Sequence, residues 1–268
     1  MKLSLSTIST LDASFAEDVE TYAAAGFDAI GLWEMKLPED DEANVALIRA
    51  HGLAVSYCVP SVPSFLQLGI PGMEGPADPD ERAEAICASV RRLARYAPEC
   101  VLCLSGPLGG RTAAEGRAIV VDGLRRAAAA GRESGVRLAF EPIHPSQHDS
   151  AGFVGSLADA LSLLDAAGLD QVGVMADTYN LVHEDPAALA AARDRIVGLH
   201  VADELPKPAP GVRALPAPDG RSAVLVAALR DAGWDGTLDV EIFSTPDAFW
   251  ALAADEAARR AYAAVSRL

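Results

Sequence analysis

The stretch from residue 137 to residue 177 contains RLAFE at 137–141, SLADALSLLDAAG at 156–168 and VGVMAD at 172–177. Two short apolar runs flank an Ala- and Leu-rich segment that begins at Ser156 and ends at Gly168, which are typical residues for the start and the end of a helix. Each apolar run ends on an acidic residue, Glu141 or Asp177. This strand–helix–strand pattern is typical of a parallel sheet covered by helices.

The same pattern repeats along the whole chain. We predict eight strands, at Lys2–Ser6, Ala29–Trp33, Ala54–Val59, Val101–Leu104, Arg137–Glu141, Val172–Asp177, Ile196–Val201 and Thr237–Phe243. Dividing 268 residues among eight units gives about 33 residues for each unit, the size of one βα repeat in an eight-stranded barrel. No change of composition and no linker divides the chain. The sequence therefore predicts an α/β protein with one domain, residues 1–268, folded as a single (β/α)8 TIM barrel.

Composition and charge limit the classes of partner. Asp and Glu number 38 against 22 Lys and Arg, a formal net charge of −16, which repels a phosphate backbone. We therefore expect no nucleic-acid partner. No long apolar run and no basic leader segment is present, so we expect no membrane association and a cytoplasmic location. The cysteines lack the paired spacing of a zinc site and are predicted to be reduced packing residues. They are Cys58, Cys87, Cys100 and Cys103.

The last four predicted strands each end at or near a side chain that can bind a metal. These residues are Glu141, Asp177, His200 and Glu241. In barrels of this kind, the carboxyl ends of the strands converge on the active site. Small residues on the same strand faces, such as Ala139 and Gly198, leave room inside the barrel. The four side chains are therefore expected to lie close together in one pocket.

Three carboxylates in one pocket repel each other, by about 4 kcal/mol for a pair 4 Å apart at an effective dielectric constant of 20. One divalent metal ion removes this conflict. A donor set of oxygens with a single nitrogen favours Mn²⁺, Mg²⁺ or Co²⁺ over Zn²⁺. The alternative is that these side chains form ion pairs at the barrel rim. An arginine or lysine that fills the space between the carboxylates of Glu141 and Glu241, or a large distance between these two carboxylates, would rule out a metal-dependent enzyme.

Residues 60–80 form an unusually long connection that is rich in Pro and Gly and shows no periodicity. The segment nevertheless carries several large apolar side chains, including Phe65, Leu68, Ile70 and Met73. Long loops of this kind in a compact domain are often functional. Three interpretations remain open: a flap over the barrel mouth, a contact in a homo-oligomer, and a loop packed down by its own side chains.

Several segments resemble those of the sugar phosphate isomerase/epimerase superfamily, the xylose-isomerase-like barrels that include inosose isomerases and ketose 3-epimerases. They are EPIHP at 141–145, DTYN at 177–180, HVAD at 200–203, VEIFS at 240–244, IGLWE at 30–34 and FSTPDAFW at 243–250. The resemblance implies that Glu141, Asp177, His200 and Glu241 bind one divalent metal. It also implies that Glu141 and Glu241 flank the substrate as acid/base catalysts.

The sequence departs from this family pattern in two places. Asn180 stands where many relatives carry a histidine, and the loop after Arg213 lacks the usual Arg-x-x-Pro-Gly-Asp-Gly spacing. Asparagine forms hydrogen bonds but does not transfer a proton, so His183 is a candidate replacement. The predicted substrate contacts are His144, Asn180, His183, Asp203, Arg213 and Trp33.

The predicted reaction is isomerisation or epimerisation of an unphosphorylated keto-sugar or keto-cyclitol. A metal that bridges the carbonyl and the adjacent hydroxyl stabilises the enediolate formed when the neighbouring carbon loses its proton. Two alternatives remain open. One is a metal-dependent lyase, similar to dehydroshikimate dehydratases or to enzymes that cleave 3-keto-glycosides. The other is a non-catalytic subunit that binds a metal or a sugar.

Overall fold

The computed structural model describes residues 1–268 and contains ten strands. They are β1 (Lys2–Ser6), β2 (Ala29–Trp33), β3 (Ala54–Val59), β4 (Cys100–Leu104), β5 (Leu138–Glu141), β6 (Gly173–Asp177), β7 (Ile196–Val201), β8 (Asp203–Glu204), β9 (Arg213–Ala214) and β10 (Thr237–Val240). Strands β1 to β7 and β10 form a closed parallel barrel, and β8 pairs with β9 as a short antiparallel hairpin. The predicted single (β/α)8 TIM barrel is confirmed. The last barrel strand is shorter than predicted, so Glu241 directly follows it.

Eight helices cover the outside of the barrel. They are α1 (Phe15–Ala25), α2 (Asp41–Ala50), α3 (Pro79–Leu93), α4 (Ala113–Ser134), α5 (Leu157–Ala166), α6 (Pro186–Ala191), α7 (Arg221–Asp231) and α8 (Ala254–Val265). Local sequence explains where many of them begin. Ser14 and Glu17 form a reciprocal capping box at α1, and Asp78 precedes Pro79 at the first position of α3. None of the helices combines the length and the apolar character needed to span a bilayer.

The barrel closes where the first strand meets the last one. β1 pairs in parallel with β10, from Lys2 opposite Thr237 to Leu5 opposite Val240. The opposite edge of β1 pairs with β2. Every barrel strand therefore has two hydrogen-bonded neighbours, and the sheet has no free edge.

The barrel interior below the carboxyl ends of the strands is filled by large side chains. A Cβ placed on Gly198 would lie 2.6 Å from Met175 Cε and 2.7 Å from Tyr57 Cε1. The room that small residues leave is thus occupied by side chains from neighbouring strands. All four cysteines are buried and unpaired, as their spacing predicts.

The connection between β3 and α3 lies across the mouth of the barrel. Phe65 N donates to Leu104 O and Leu66 N donates to Ser105 O, so the segment follows the end of β4. Gly106 makes this close approach feasible, because a Cβ there would lie 2.1 Å from Leu66 O and its φ is +76°. Leu68, with other residues of the segment, lines the cavity in the barrel mouth. Phe65 and Leu66 are themselves buried, so the segment covers the barrel mouth and is also packed down by its own side chains. We call it the flap below.

Candidate active site

Four side chains from consecutive βα units converge at the carboxyl end of the barrel. Glu141 ends β5, Asp177 ends β6, His200 belongs to β7 and Glu241 follows β10. All four are buried, and one ligand-capable atom of each lies within 4.8 Å of the other three. The barrel thus brings Glu141 close to Glu241, although the two residues are 100 positions apart in the sequence.

The charges in this cluster strongly influence one another. His200 Nδ1 lies 3.5 Å from Glu141 Oε1 and 3.4 Å from Glu241 Oε2. Burial raises the pKa of Glu141 to about 7, and the carboxylates of Asp177 and Glu241 act in the same direction. Burial alone would lower the pKa of His200, but the surrounding carboxylates raise it to about 10. In the absence of a metal, a protonated imidazole therefore balances part of the negative charge.

Arg213 reaches the same cluster from the β8–β9 hairpin. Its Nη1 lies 2.9 Å from Asp177 Oδ2 and 2.7 Å from Glu241 Oε2. The guanidinium carbon lies 5.1 Å from the ring centre of Tyr179 and 5.0 Å from that of Phe243. Burial alone would lower the pKa of Arg213, but the nearby carboxylates raise it. The ion-pair alternative is therefore realised in part, since a cation neutralises charge on two of the three carboxylates.

The residues nevertheless fit a divalent metal. Arg213 forms no ion pair with Glu141. His200 Nδ1 and Glu241 Oε1 are buried and have no hydrogen-bond partner, which is costly for a polar atom unless a ligand binds it. Three carboxylates and one imidazole form a donor set suited to a divalent ion. Full use of Asp177 Oδ2 and Glu241 Oε2 as ligands would require the guanidinium to share these oxygens or to withdraw.

Asn180 lies among the carboxylates and does not line the cavity. Its Nδ2 donates to Glu141 Oε1 at 3.0 Å and to Asp177 Oδ2 at 3.1 Å. Its Oδ1 accepts a hydrogen bond from His144 N. The side chain at this position therefore orients two candidate ligands, where the sequence predicts a substrate contact.

Three further predicted contacts lie outside the cavity lining. His144 begins a short 3₁₀ helix, with its Nδ1 paired to Ser146 Oγ, and burial lowers its pKa. His183 is exposed, and its ring centre lies 5.7 Å from that of His144. Asp203 accepts hydrogen bonds from Ala217 N and Ser222 N, so its carboxylate fastens the loop that precedes α7. None of the three therefore lines the space available to a ligand.

A cavity of about 280 Å³ lies directly above the cluster and includes Glu141, Glu241 and Arg213 in its lining. Trp33 also lines this cavity, and its indole Nε1 donates to Ser6 Oγ. Of the predicted substrate contacts, Trp33 and Arg213 are therefore the two that face the space available to a ligand.

Asp239, which is not among the residues predicted from the sequence, lies below His200 inside the barrel. Its Oδ2 is 3.8 Å from His200 Nε2, and its Oδ1 accepts a hydrogen bond from Ser56 Oγ. Burial raises the pKa of Asp239 to about 7. At 3.8 Å the contact with His200 is electrostatic and not a hydrogen bond, and it places a carboxylate on the side of the imidazole that faces away from the candidate ligands. The signal for it was its position two residues before Glu241, on the same face of the strand.

Residues 19–265 match the family of xylose isomerase-like TIM barrels. The chain belongs to this family, and the resemblance seen in the sequence is confirmed. A comparison with curated proteins finds no match to the chain.

Three solved structures illustrate how far the similarity extends. Protein SMc04130 from Sinorhizobium meliloti 1021 is 25% identical, with a TM-score of 0.84, over 99% of this chain and 97% of that one. The IolI protein, solved with a bound zinc atom, is 19% identical, with a TM-score of 0.81, over 99% of this chain and 96% of that one. The 3-keto-D-glucoside 4-epimerase YcjR from E. coli is 18% identical, with a TM-score of 0.76, over 100% of both chains.

Proposed function

We propose that the chain is a divalent-metal-dependent isomerase or epimerase that acts on a keto-sugar or a keto-cyclitol. The observation that carries the proposal is the convergence of Glu141, Asp177, His200 and Glu241 on one buried point at the floor of a cavity. The activity named for YcjR, epimerisation of a 3-keto-glucoside, supports this class of substrate.

The residues of the site fill three roles in the proposed reaction: they hold the ion, transfer protons and bind a substrate oxygen. Glu141, Asp177, His200 and Glu241 would hold the ion. A divalent cation bound there supplies positive charge to substrate oxygens that become negative when a neighbouring carbon loses its proton. One of the two glutamates accepts this proton and the other returns a proton to the substrate. Arg213 lies beside Glu241 at the cavity wall, where its guanidinium can donate hydrogen bonds to a substrate oxygen.

The donor set leads us to propose Mn²⁺, Mg²⁺ or Co²⁺ as the native metal. The zinc atom in the IolI structure makes Zn²⁺ the necessary fourth ion for comparison. Metal analysis of the purified protein, followed by reloading with each ion, identifies the one that supports activity.

The test of the reaction is exchange of carbon-bound hydrogen in deuterium oxide. The metal-loaded protein is incubated with a panel of keto-sugars and inososes, and the products are followed by NMR and mass spectrometry. We expect deuterium at the carbon beside the carbonyl and a product that is an isomer of the substrate. Loss of water or of an aglycone would identify a lyase instead. Absence of exchange with every compound and every metal would leave a binding protein and would overturn the proposal.

A further inference from the structure

The lining of the cavity above the candidate site has a charged part and a larger apolar part. Glu141, Glu241 and Arg213 form the charged part, and the Arg213 guanidinium lies 5.0 Å from the ring centre of Phe243. The remaining wall is dominated by apolar side chains from the flap, from strand ends and from the loop after β10. Those that carry the argument are Leu68, Ile70, Met73, Leu104, Ile143 and Trp250.

The apolar wall has few polar atoms available to a ligand. The indole N–H of Trp33 donates to Ser6 Oγ, and that of Trp250 donates to Ile8 O. Both tryptophans therefore use their polar atoms within the protein. Gln147 Oε1 is the exception, because it is buried without a hydrogen-bond partner.

Three other polar groups around the cavity each have one partner within the protein. Ser150 Oγ donates to Gln147 O, and Ser244 Oγ accepts from Phe249 N. Gly211 N donates to Tyr179 Oη. A sugar hydroxyl buried against this wall would lose its hydrogen bonds to water and would find few replacements.

Aromatic rings dominate the centre of this wall. The ring centres of Trp33 and Phe243 are 5.5 Å apart with an interplanar angle of 75°, and those of Phe243 and Trp250 are 6.5 Å apart at 60°. Because these rings are inclined to one another, they present both edges and faces, and a further aromatic ring can pack favourably against either. The volume of about 280 Å³ lies just below the usual range of about 300–1,000 Å³ for small-molecule sites, so a second ring must be small.

We propose that the substrate carries a small aryl group on the side of the molecule that faces away from the carboxylates. This inference rests on the proposed function for the other half of the substrate, a keto-sugar or keto-cyclitol ring at Glu141 and Glu241. The aryl group lies against the apolar wall, with Ile70 and Met73 of the flap closing over it. An aryl keto-glycoside has this arrangement of a polar ring and a small aromatic substituent.

Equilibrium binding of two unreactive glucosides tests the proposal without relying on turnover. The probes are phenyl β-D-glucoside and methyl β-D-glucoside, titrated by calorimetry into the metal-loaded protein. We expect the phenyl compound to bind at least tenfold more tightly. Equal affinities, or no binding of either compound, would overturn the proposal.

Two substitutions in the flap test whether its side chains cause the preference for the phenyl compound. Ile70 and Met73 are half-buried, so Ile70→Ser and Met73→Ser are expected to fold, and each should bring the phenyl-to-methyl ratio closer to one. Ile70→Val should retain the ratio, and so should Val224→Ser, because Val224 is exposed on α7. A ratio that is unchanged in both serine variants would show that the preference arises elsewhere and would contradict the proposal.

Deuterium exchange with the 3-keto forms of the same two glucosides separates this inference from the proposed function. Exchange at equal rates and equal apparent affinities would support the reaction and overturn the aryl preference. A phenyl preference in binding that persists without any exchange would support the aryl site and contradict the reaction.

Discussion

Glu141 and Glu241 share His200 as a neighbour but receive hydrogen bonds from different partners. Asn180 Nδ2 donates to Glu141, whereas Arg213 Nη1 donates to Glu241. The neutral amide and the permanent cation make the two carboxylates chemically unequal. This inequality is useful in a reaction where one group must accept a proton while the other delivers one.

Replacement of either glutamate by glutamine should reduce substrate deuterium exchange by about 10²–10⁴-fold, because a general acid or base is lost. Glu141→Gln and Glu241→Gln retain the size of the side chain but not its proton chemistry. Glu84→Gln, on the exposed face of α3, is the matched control and should behave as the wild type. Metal content is measured in each variant. A Glu241→Gln protein with full exchange activity would contradict the acid/base assignment.

Asp239→Asn should weaken metal binding about 10–100-fold, because the negative charge behind His200 is lost while the shape is kept. The dissociation constant is measured by titration with Co²⁺ or Mn²⁺. Asp235→Asn, an exposed position before the same strand, is the control. If Asp239 only filled space, Asp239→Asn would leave the metal affinity unchanged, because the variant keeps the shape of the side chain.

At the level of elements, one buried arginine from α3 joins the two ends of the flap. Arg82 Nε donates to Ser64 O, Nη1 to Glu74 O and Pro76 O, and Nη2 to Ser64 Oγ. The residue is fully buried, and burial lowers its pKa to about 10. The guanidinium thus binds both ends of the flap where no carboxylate is available to pair with it.

Arg82→Met should release the flap from the barrel mouth, because three carbonyl oxygens lose their donor at about 1–3 kcal/mol for each buried group. We expect faster hydrogen exchange and faster proteolysis within residues 64–76. Arg91→Met on the same helix, at an exposed position, should leave both rates unchanged. Unaltered protection in Arg82→Met would mean that backbone hydrogen bonds and apolar packing hold the flap without the guanidinium.

The regular elements could be predicted from the sequence, and the hairpin could not. Each barrel strand is an apolar run bounded by turn residues, so the eight strands and the residues at their ends are visible as a pattern. The strands of the β8–β9 hairpin have two residues each, which is too short for any periodicity. Because this hairpin carries Arg213, its contact with Asp177 and Glu241 depends on tertiary structure that no local pattern reveals.

For the whole molecule, the cluster makes stability depend on pH. The pKa of Glu141 rises from 4.5 to about 7, that of Asp239 from 3.8 to about 7, and that of His200 from 6.5 to about 10. A group with a raised pKa contributes stability that is present below its unfolded value and is lost as the pH rises through its folded value. Between pH 5 and pH 9, all three therefore act in the same direction. The lowered pKa of the half-buried His144 opposes them.

We expect the metal-free protein to melt at a lower temperature at pH 9 than at pH 5, by several degrees, in a buffer that contains a chelator. A divalent ion should reverse this trend, because its binding displaces protons and becomes tighter as the pH rises. Calorimetric melting curves at both pH values, with and without metal, provide the measurement. A metal-induced increase in melting temperature that is larger at pH 5 than at pH 9 would contradict this account.

The pairing of β1 with β10 also determines when, during synthesis, the barrel can close and the candidate metal site can form. Each residue of the first strand is made 235 residues before its partner (237 − 2), so one edge of β1 stays open until residues 237–240 have been made. Glu241 directly follows that last strand, and the last of the four candidate ligands therefore arrives with the final hydrogen bonds of the barrel. Nascent or truncated chains that end before residue 237 should consequently lack both a sealed sheet and the ability to capture the ion.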